Sequence, residues 1–402
     1  MSDHVIGGVA VPPAPDGEPD LGPWALDAIE ALLQVDEEWR VPEDRGFTWW
    51  PRRLAQRAWA EPVREAYGEQ VTRVHVATEI LREVPVTDEV LRLLAEANLT
   101  ATLGGFVIDP DGSLSAHSHA WFHRENTWQV NLLSTAAVLQ AATCEASVDS
   151  IREVVGGRVA VSAHPDRGER PEPDEMLGIG EFVTEAGGAP SPYTPGDFEA
   201  AAREGERLWL VSTTGGRALT AEVPFFGGKQ AGGRALGSGP ARASGSGSVR
   251  APVGAFTDGP VSNRRRPDGP NEAGLETALL QLTADDPHPE LGSGLLALLR
   301  LPLTLPGAAS ARLANDLNRA EQEAVTVSPL LGSWCLAGEE IAFVSFTPAF
   351  VLRGDPESSR RARLLNTAAW MTARSLWAAA EIMGRERGPA SATETGGPAI
   401  RR

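Results

Sequence analysis

The chain has 402 residues, enough for two or three domains, and 54 acidic against 36 basic residues leave a formal net charge of −18. That balance speaks against a whole-protein footprint on nucleic acid or an anionic membrane, because phosphate binding needs a positive field, and it suits neutral or basic partners. The single lysine, Lys229, stands in Gly-Gly-Lys-Gln without P-loop spacing, so lysine-based Schiff-base chemistry and phosphate cradling are all but excluded.

Residues 1–22 are rich in Gly, Pro and Asp and read as a disordered tail. An N-terminal domain is expected over 23–165. It opens on a helix from Trp24 to Leu33, with Trp24, Ala28, Ile29, Leu32 and Leu33 at helical spacing. Strand-like segments follow at 47–59, with Phe47, Trp49, Leu54 and Trp59, and at 71–81, where Val71, Arg73, Val74, His75 and Val76 lead into Ile80. Thr87 and Asp88 open a helix carrying Val90, Leu91, Leu94 and Ala97 on one face. Strands over Thr100–Ile108 and Ser113–His123 are joined by Asp109-Pro110-Asp111-Gly112, which is good turn chemistry. A long helix at 130–155 closes the unit, and its Cys144, like Cys335 later, reads as a buried free thiol.

Residues 166–226 read as a small α/β extension, with a helix at 195–204, strands at 208–213 and 218–226, and a Gly215-Gly216 turn. Residues 227–272 then form a flexible Gly/Pro/Arg-rich linker. Its Lys229, Arg234, Arg242, Arg250, Arg264, Arg265 and Arg266 outnumber Asp258 and Asp268, so a tethered basic segment could compete for an acidic groove on the remainder. A C-terminal domain spans 273–388. Strands are expected at 275–283 and 294–305, a helix at 308–322, and strands at 324–331, 333–337 and 340–346. A Gly338-Glu339 turn joins the last two, and a long helix follows at 357–385. Residues 389–402 read as a disordered tail. Residues 71–155 match 294–385 in element order, with Ala95-Glu96-Ala97-Asn98 set beside Ala314-Asn315-Asp316-Leu317. The fold class is therefore α+β: two repeated antiparallel-sheet-plus-helix units separated by the extension and linker.

Chemistry-bearing motifs are few. On a strand, His117, His119, Trp121 and His123 project to one face, and the three imidazoles are weak candidates for a zinc or iron site. A solvated polar face is the plainer reading, and no metal or other cofactor is expected. Asp109-X-Asp111-Gly112 resembles the opening of a calcium loop but lacks its later acidic ligands. The Arg264-Arg265-Arg266 run reads as solvated charge. Gly-X-Ser-X-Gly, Gly-X-Gly-X-X-Gly and His-Glu-X-X-His do not occur, and no catalytic residue is nominated. Tryptophan stands out, with 11 residues against 2 tyrosines. Trp49, Trp50, Trp59, Trp121, Trp128 and Trp334 are the candidate contacts for a partner, since Trp supplies large area with one donor. Because Trp49 and Trp50 are adjacent, a strand there turns one of them away from the core.

The segment Gly46-Phe47-Thr48-Trp49-Trp50-Pro51 through Ala55-Gln56-Arg57-Ala58-Trp59 resembles the opening of the TY-Chap peptide-binding chaperones, bacterial proteins grouped with the type III secretion chaperones and YbjN. Leu301–Leu305, a helix, Trp334–Phe346 and a long helix resemble the same superfamily, and together the likeness covers most of 24–165 and 273–388. It implies a non-catalytic chaperone or adaptor that holds a peptide segment or partner protein, basic or unfolded, with the tandem units acting as a pseudo-dimer within a monomer or as part of a homodimer. A type VII secretion chaperone is the neighbouring alternative, and a metal-dependent enzyme on the His117/His119/His123 strand is the rival from another class. No stretch approaches the ~18 apolar residues of a membrane span, and Met1–Pro23 lacks a secretory layout. A cytoplasmic location is the expectation.

Overall fold

In the computed structural model, residues 5–6, 9–10, 14–15, 17–66, 69–101, 103–124, 126–178, 190–208, 210–225, 276–289, 291–324, 330–352 and 357–386 are described. The expected linker at 227–272, most of the expected strand at 324–331 and the tail from 389 lie outside them. The fold is α+β, with six helices and two antiparallel sheets among the described residues.

A two-strand pair, β1 (Val5–Ile6) and β2 (Val9–Ala10), precedes the first unit. Among the described residues of the expected N-terminal tail, 5–6 and 9–10 are thus paired strands. Leu21 is buried, and the Asp20 carboxylate accepts from the Gly22 N–H, the Thr72 hydroxyl and Arg45. Helix α1 (Gly22–Leu33) follows, with Pro at its first turn and Gln34 in the left-handed region as its C-cap. The strands are β3 (Arg40–Glu43), β4 (Gly46–Trp49), β5 (Gln56–Ala60), β6 (Arg64–Ala66) and β7 (Glu69–Arg82). Helix α2 (Asp88–Ala97) starts at Thr87, whose side chain accepts from the Val90 N–H. Then come β8 (Gly105–Ile108), β9 (Leu114–Phe122), α3 (Gln129–Val155) and β10 (Arg158–Val159). The Asp109–Gly112 turn works because Gly112 takes φ +85°, where a Cβ would also strike the Val84 carbonyl at 2.7 Å. The sheet runs β3-β4-β5-β7-β9-β8, with β6 and β10 also pairing with β7.

The second unit comprises α4 (Pro195–Leu208), β11 (Ser212–Gly215), β12 (Ala218–Phe225), β13 (Glu276–Thr283), β14 (Gly294–Arg300), α5 (Gly307–Glu323), β15 (Ser333–Ala337), β16 (Glu340–Pro348) and α6 (Glu357–Glu386). Its sheet runs β11-β12-β13-β14-β16-β15. Residues 195–225 of the segment expected as a separate extension are thus part of this unit, whereas 166–178 lie on the first, where the Asp174 N–H donates to the Pro51 carbonyl and Met176 joins the core under α1 and α3. β12 pairs with β13 along its whole length, from Ala218↔Thr283 to Phe225↔Glu276, and α4 packs on α6. Leaving β6 and β10 aside, both units read helix, four strands, helix, two strands, helix. In each, the fourth strand lies beside the sixth and the fifth forms the edge.

Because Phe225 and Glu276 are paired neighbours, residues 226–275 join two strand ends that already touch. Replacing them by a four- or five-residue Gly/Asn turn is expected to leave the sheet intact. Loop-closure entropy for a roughly tenfold shorter connection favours the folded state by about 2 kcal/mol. Chemical denaturation reads this out, and a variant less stable than the parent would show that 226–275 contributes to the fold.

The units meet through their inner edges. α2 and α5 pack against each other, α2 also lies on β15 and α5 on β8. Asn98 accepts from the Phe106 N–H and donates to the Phe106 carbonyl, and Asn318 does the same to Trp334. Asn315 of α5 reaches across to the N–H and carbonyl of Ile108 at 3.0 Å each. Side-chain amides thus close edges that would otherwise expose backbone groups. Gly105 permits the approach, since a Cβ there would lie 2.5 Å from that of Ser333. One apolar cluster runs from Ile80, Leu91 and Leu114 through to Leu299, Phe343 and Met371, so the cores are continuous.

Candidate functional site

Strands β7 and β9 are central in the first sheet, and their alternation sets two faces. Val74, Val76, Ala120 and Phe122 face the core under α1 and α3. The opposite face carries Arg73, His75, His117, His119 and Trp121. Antiparallel pairing puts His75 opposite His119, Ala77 opposite His117 and Arg73 opposite Trp121, while Trp59 on β5 is opposite His75. The Trp59 and His75 rings stack at 4.7 Å with 5° between their planes.

Three imidazoles converge there. His75 Nδ1 lies 3.1 Å from His117 Nε2, and one ring nitrogen from each of His75, His117 and His119 falls within 4.8 Å of the others. His75 and His117 are buried and His119 is half-buried. His75 Nε2 is 3.0 Å from the Glu61 carboxylate, which also pairs with Arg73. Burial works against the Glu61 anion, yet hydrogen bonds from His75 and Arg73 and the Arg73 charge hold its carboxyl down at about 2. Burial pushes all three histidines down, His117 and His119 well below the ordinary value, with the Arg73 charge acting in the same sense. Burial thus disfavours the protonated form of each ring and favours the neutral imidazole, the form that binds metals.

The second unit forms the wall of this site. Arg73 Nη1 donates to the carbonyls of Glu321 and Ala324 at 3.0 and 2.8 Å, placing a cation on the C-terminus of α5. A cavity of about 20 Å3 lies between His117 and His119 on one side and Glu321, Gln322 and Gly332 on the other. The Glu321 carboxylate is occupied by Trp334 Nε1 and Arg374. A larger surface groove of about 420 Å3 near the start of α5 holds charges that are already matched, Arg312 with Asp88 and Arg385 with Asp316.

The face predicted for His117, His119 and Trp121 is realised, but His123 is not in the cluster. It lies beyond the end of β9 and pairs with Glu69 at 3.0 Å. Its place is taken by His75, which the β7–β9 register supplies from 42 residues earlier. The sequence signal was the alternation of Arg73 and His75 with Val74 and Val76, which marks a polar strand face. Nothing local marks Glu61 as its partner.

The six tryptophans expected as partner contacts do not form an open patch. Trp49 and Trp334 are 0% exposed, and Trp50 and Trp121 are buried. Trp49 Nε1 donates to Gln56, and Trp334 Nε1 to Glu321. The chain leaves β4 after Trp49, so Trp50 escapes the strand alternation; it donates to Ser162 and packs on His164. Trp121 lies under Arg73, Trp59 between His75 and Arg57, and Trp128 under Arg363. Trp49, Trp50, Trp121 and Trp334 are therefore core residues, while Trp59 and Trp128 are half-buried. Cys144 and Cys335 are buried free thiols, and burial raises the Cys335 thiol to about 12. The Asp109–Asp111 segment is a turn, with Asp111 accepting from Ser113 and Asp109 held by Arg319. No described helix is long and apolar enough to cross a membrane. Comparison with protein-family models, curated proteins and solved structures finds no match for this chain.

Proposed function

We propose that the chain is a non-catalytic, peptide-binding adaptor of the secretion-chaperone and YbjN-like kind, working in the cytoplasm, in which two copies of one sheet-and-helix unit stand in for a dimer. The observation that carries this reading is the shared order of elements and strands in the two units, joined through α2 and α5. The inner edges β8 and β15 are closed by Asn315 and Asn318, whereas among the described residues β11 pairs only with β12. Ser212-Thr213-Thr214-Gly215 is largely exposed, and Val211 beside it is 79% exposed. Such an edge accepts an extended segment as an added strand, with main-chain bonds giving affinity. The net charge of −18 favours a basic segment.

The turn between Gly215 and Ala218 makes them the closing hydrogen-bonded pair, so Thr214 directs its N–H outward. Thr214→Pro removes that donor without touching the β12 pairing. Tagged full-length chain is expected to retain a specific polypeptide from its host lysate, and Thr214→Pro to lose it at unchanged thermal stability. Retention of the same polypeptide by the proline variant would refute docking at this edge, and failure to retain any would refute the adaptor reading.

A further inference from the structure

We infer that His75, His117 and His119 form a binding site for one divalent transition-metal ion, Zn2+ by preference, with water as the fourth ligand. The site lies where the first sheet meets the second unit.

Four observations converge on it. The three ring nitrogens lie within 4.8 Å of one another on adjacent, hydrogen-bonded strands, so the donors are preorganised by a rigid sheet. A tetrahedral Zn2+ with Zn–N bonds of about 2.0–2.1 Å places its nitrogens roughly 3.4 Å apart, close to the 3.1 Å between His75 Nδ1 and His117 Nε2. His75 presents Nδ1 to the cluster while Nε2 faces Glu61, the carboxylate–histidine arrangement that fixes tautomer and orientation at zinc centres. The adjoining cavity of about 20 Å3 is large enough for one water molecule. Three imidazoles with an open fourth position suit Zn2+ better than the harder Mg2+ or Ca2+, which take oxygen donors.

Glu321 is not a ligand in this scheme, because its oxygens already serve Trp334 and Arg374. The second unit contributes the wall that confines the water, and Arg73 anchors that wall to the strand carrying His75. The inference is independent of the adaptor reading, and its test needs no partner.

The experiment uses the full chain, stripped with a chelator and titrated with Co2+ and then Zn2+. The expected result is one equivalent of Co2+ with the visible absorption of a four-coordinate site, displaced by one equivalent of Zn2+. His117→Ala and His119→Ala are expected to abolish the band, and Glu61→Gln to weaken affinity about 10–100-fold. His123→Ala, outside the cluster, is expected to bind like the parent. Absence of stoichiometric binding by the parent chain would overturn the inference and leave a hydrogen-bonded imidazole cluster. So would equal loss in His123→Ala, or six-coordinate cobalt spectra. The parent titration decides the matter even if a histidine variant fails to fold.

Discussion

Replacing Arg374 by Met is expected to destabilise the chain by about 3–5 kcal/mol, the cost of stranding a buried charge. Arg374 on α6 is 1% exposed and pairs with Glu321 on α5, which is itself 5% exposed. It also donates to the Leu330 carbonyl at 3.2 Å and lies 3.6 Å over the Phe343 ring. The substitution leaves the Glu321 carboxylate with the Trp334 indole at 2.9 Å but without its cation. The pair as a whole is worth far less than that loss, since both ions had to be taken out of water. Arg374→Met combined with Glu321→Gln is therefore expected to be more stable than Arg374→Met alone, because the amide still accepts from Trp334. A coupling of about 0.5–3 kcal/mol is the expected size. Urea denaturation followed by tryptophan fluorescence measures both. A single variant within about 1 kcal/mol of the parent would show that solvent reaches the pair.

What the sequence disclosed and what it hid divide along the range of the interactions. Thr87 as a cap, the Asp109–Gly112 turn and the Gly338-Glu339 turn are decided within a few residues, and all three stand where local chemistry puts them. The strand expected over Thr100–Ile108 is shorter, starting at Gly105, because the chain turns at the end of α2 while Asn98 binds Phe106. Membership of α4, β11 and β12 in the second unit was not legible, since the pairing that decides it spans 226–275. The placing of Asn98 beside Leu317 slips by one residue from Asn318, which makes the matching bonds to Trp334. The histidine site was half legible: alternation gives His117 and His119 their common face, but a register between strands 42 residues apart supplies His75. The burial of Trp49, Trp50, Trp121 and Trp334 was hidden for the same reason. Whether Trp49 or Trp334 is a contact or a core residue depends on the helix that covers it, and composition carries no information about that.

Replacing Arg73 by Met is expected to cost about 3–5 kcal/mol and, unlike Arg374→Met, to loosen one unit from the other. Arg73 is 1% exposed and has two sets of partners. Its Nε donates to Glu61 in the first unit at 3.0 Å. Its Nη1 serves two terminal carbonyls of α5 in the second, and the guanidinium lies 5.0 Å over Trp121. Met matches much of the stem and its packing but supplies none of these donors. Two helix-end carbonyls are then left in a site with little water, and Glu61 retains only His75 and the more exposed Arg64. Lysine is no substitute, because a single ammonium cannot span Glu61 and the helix end as the guanidinium fork does. Arg73→Lys should therefore recover only part of the loss. The parent, whose apolar core is continuous across the units, is expected to unfold in one transition. Arg73→Met is expected to split it, and far-UV circular dichroism across a urea series would show the second step. A single transition, shifted by less than about 1 kcal/mol, would mean that α2, α5 and the asparagine bridges hold the junction without Arg73.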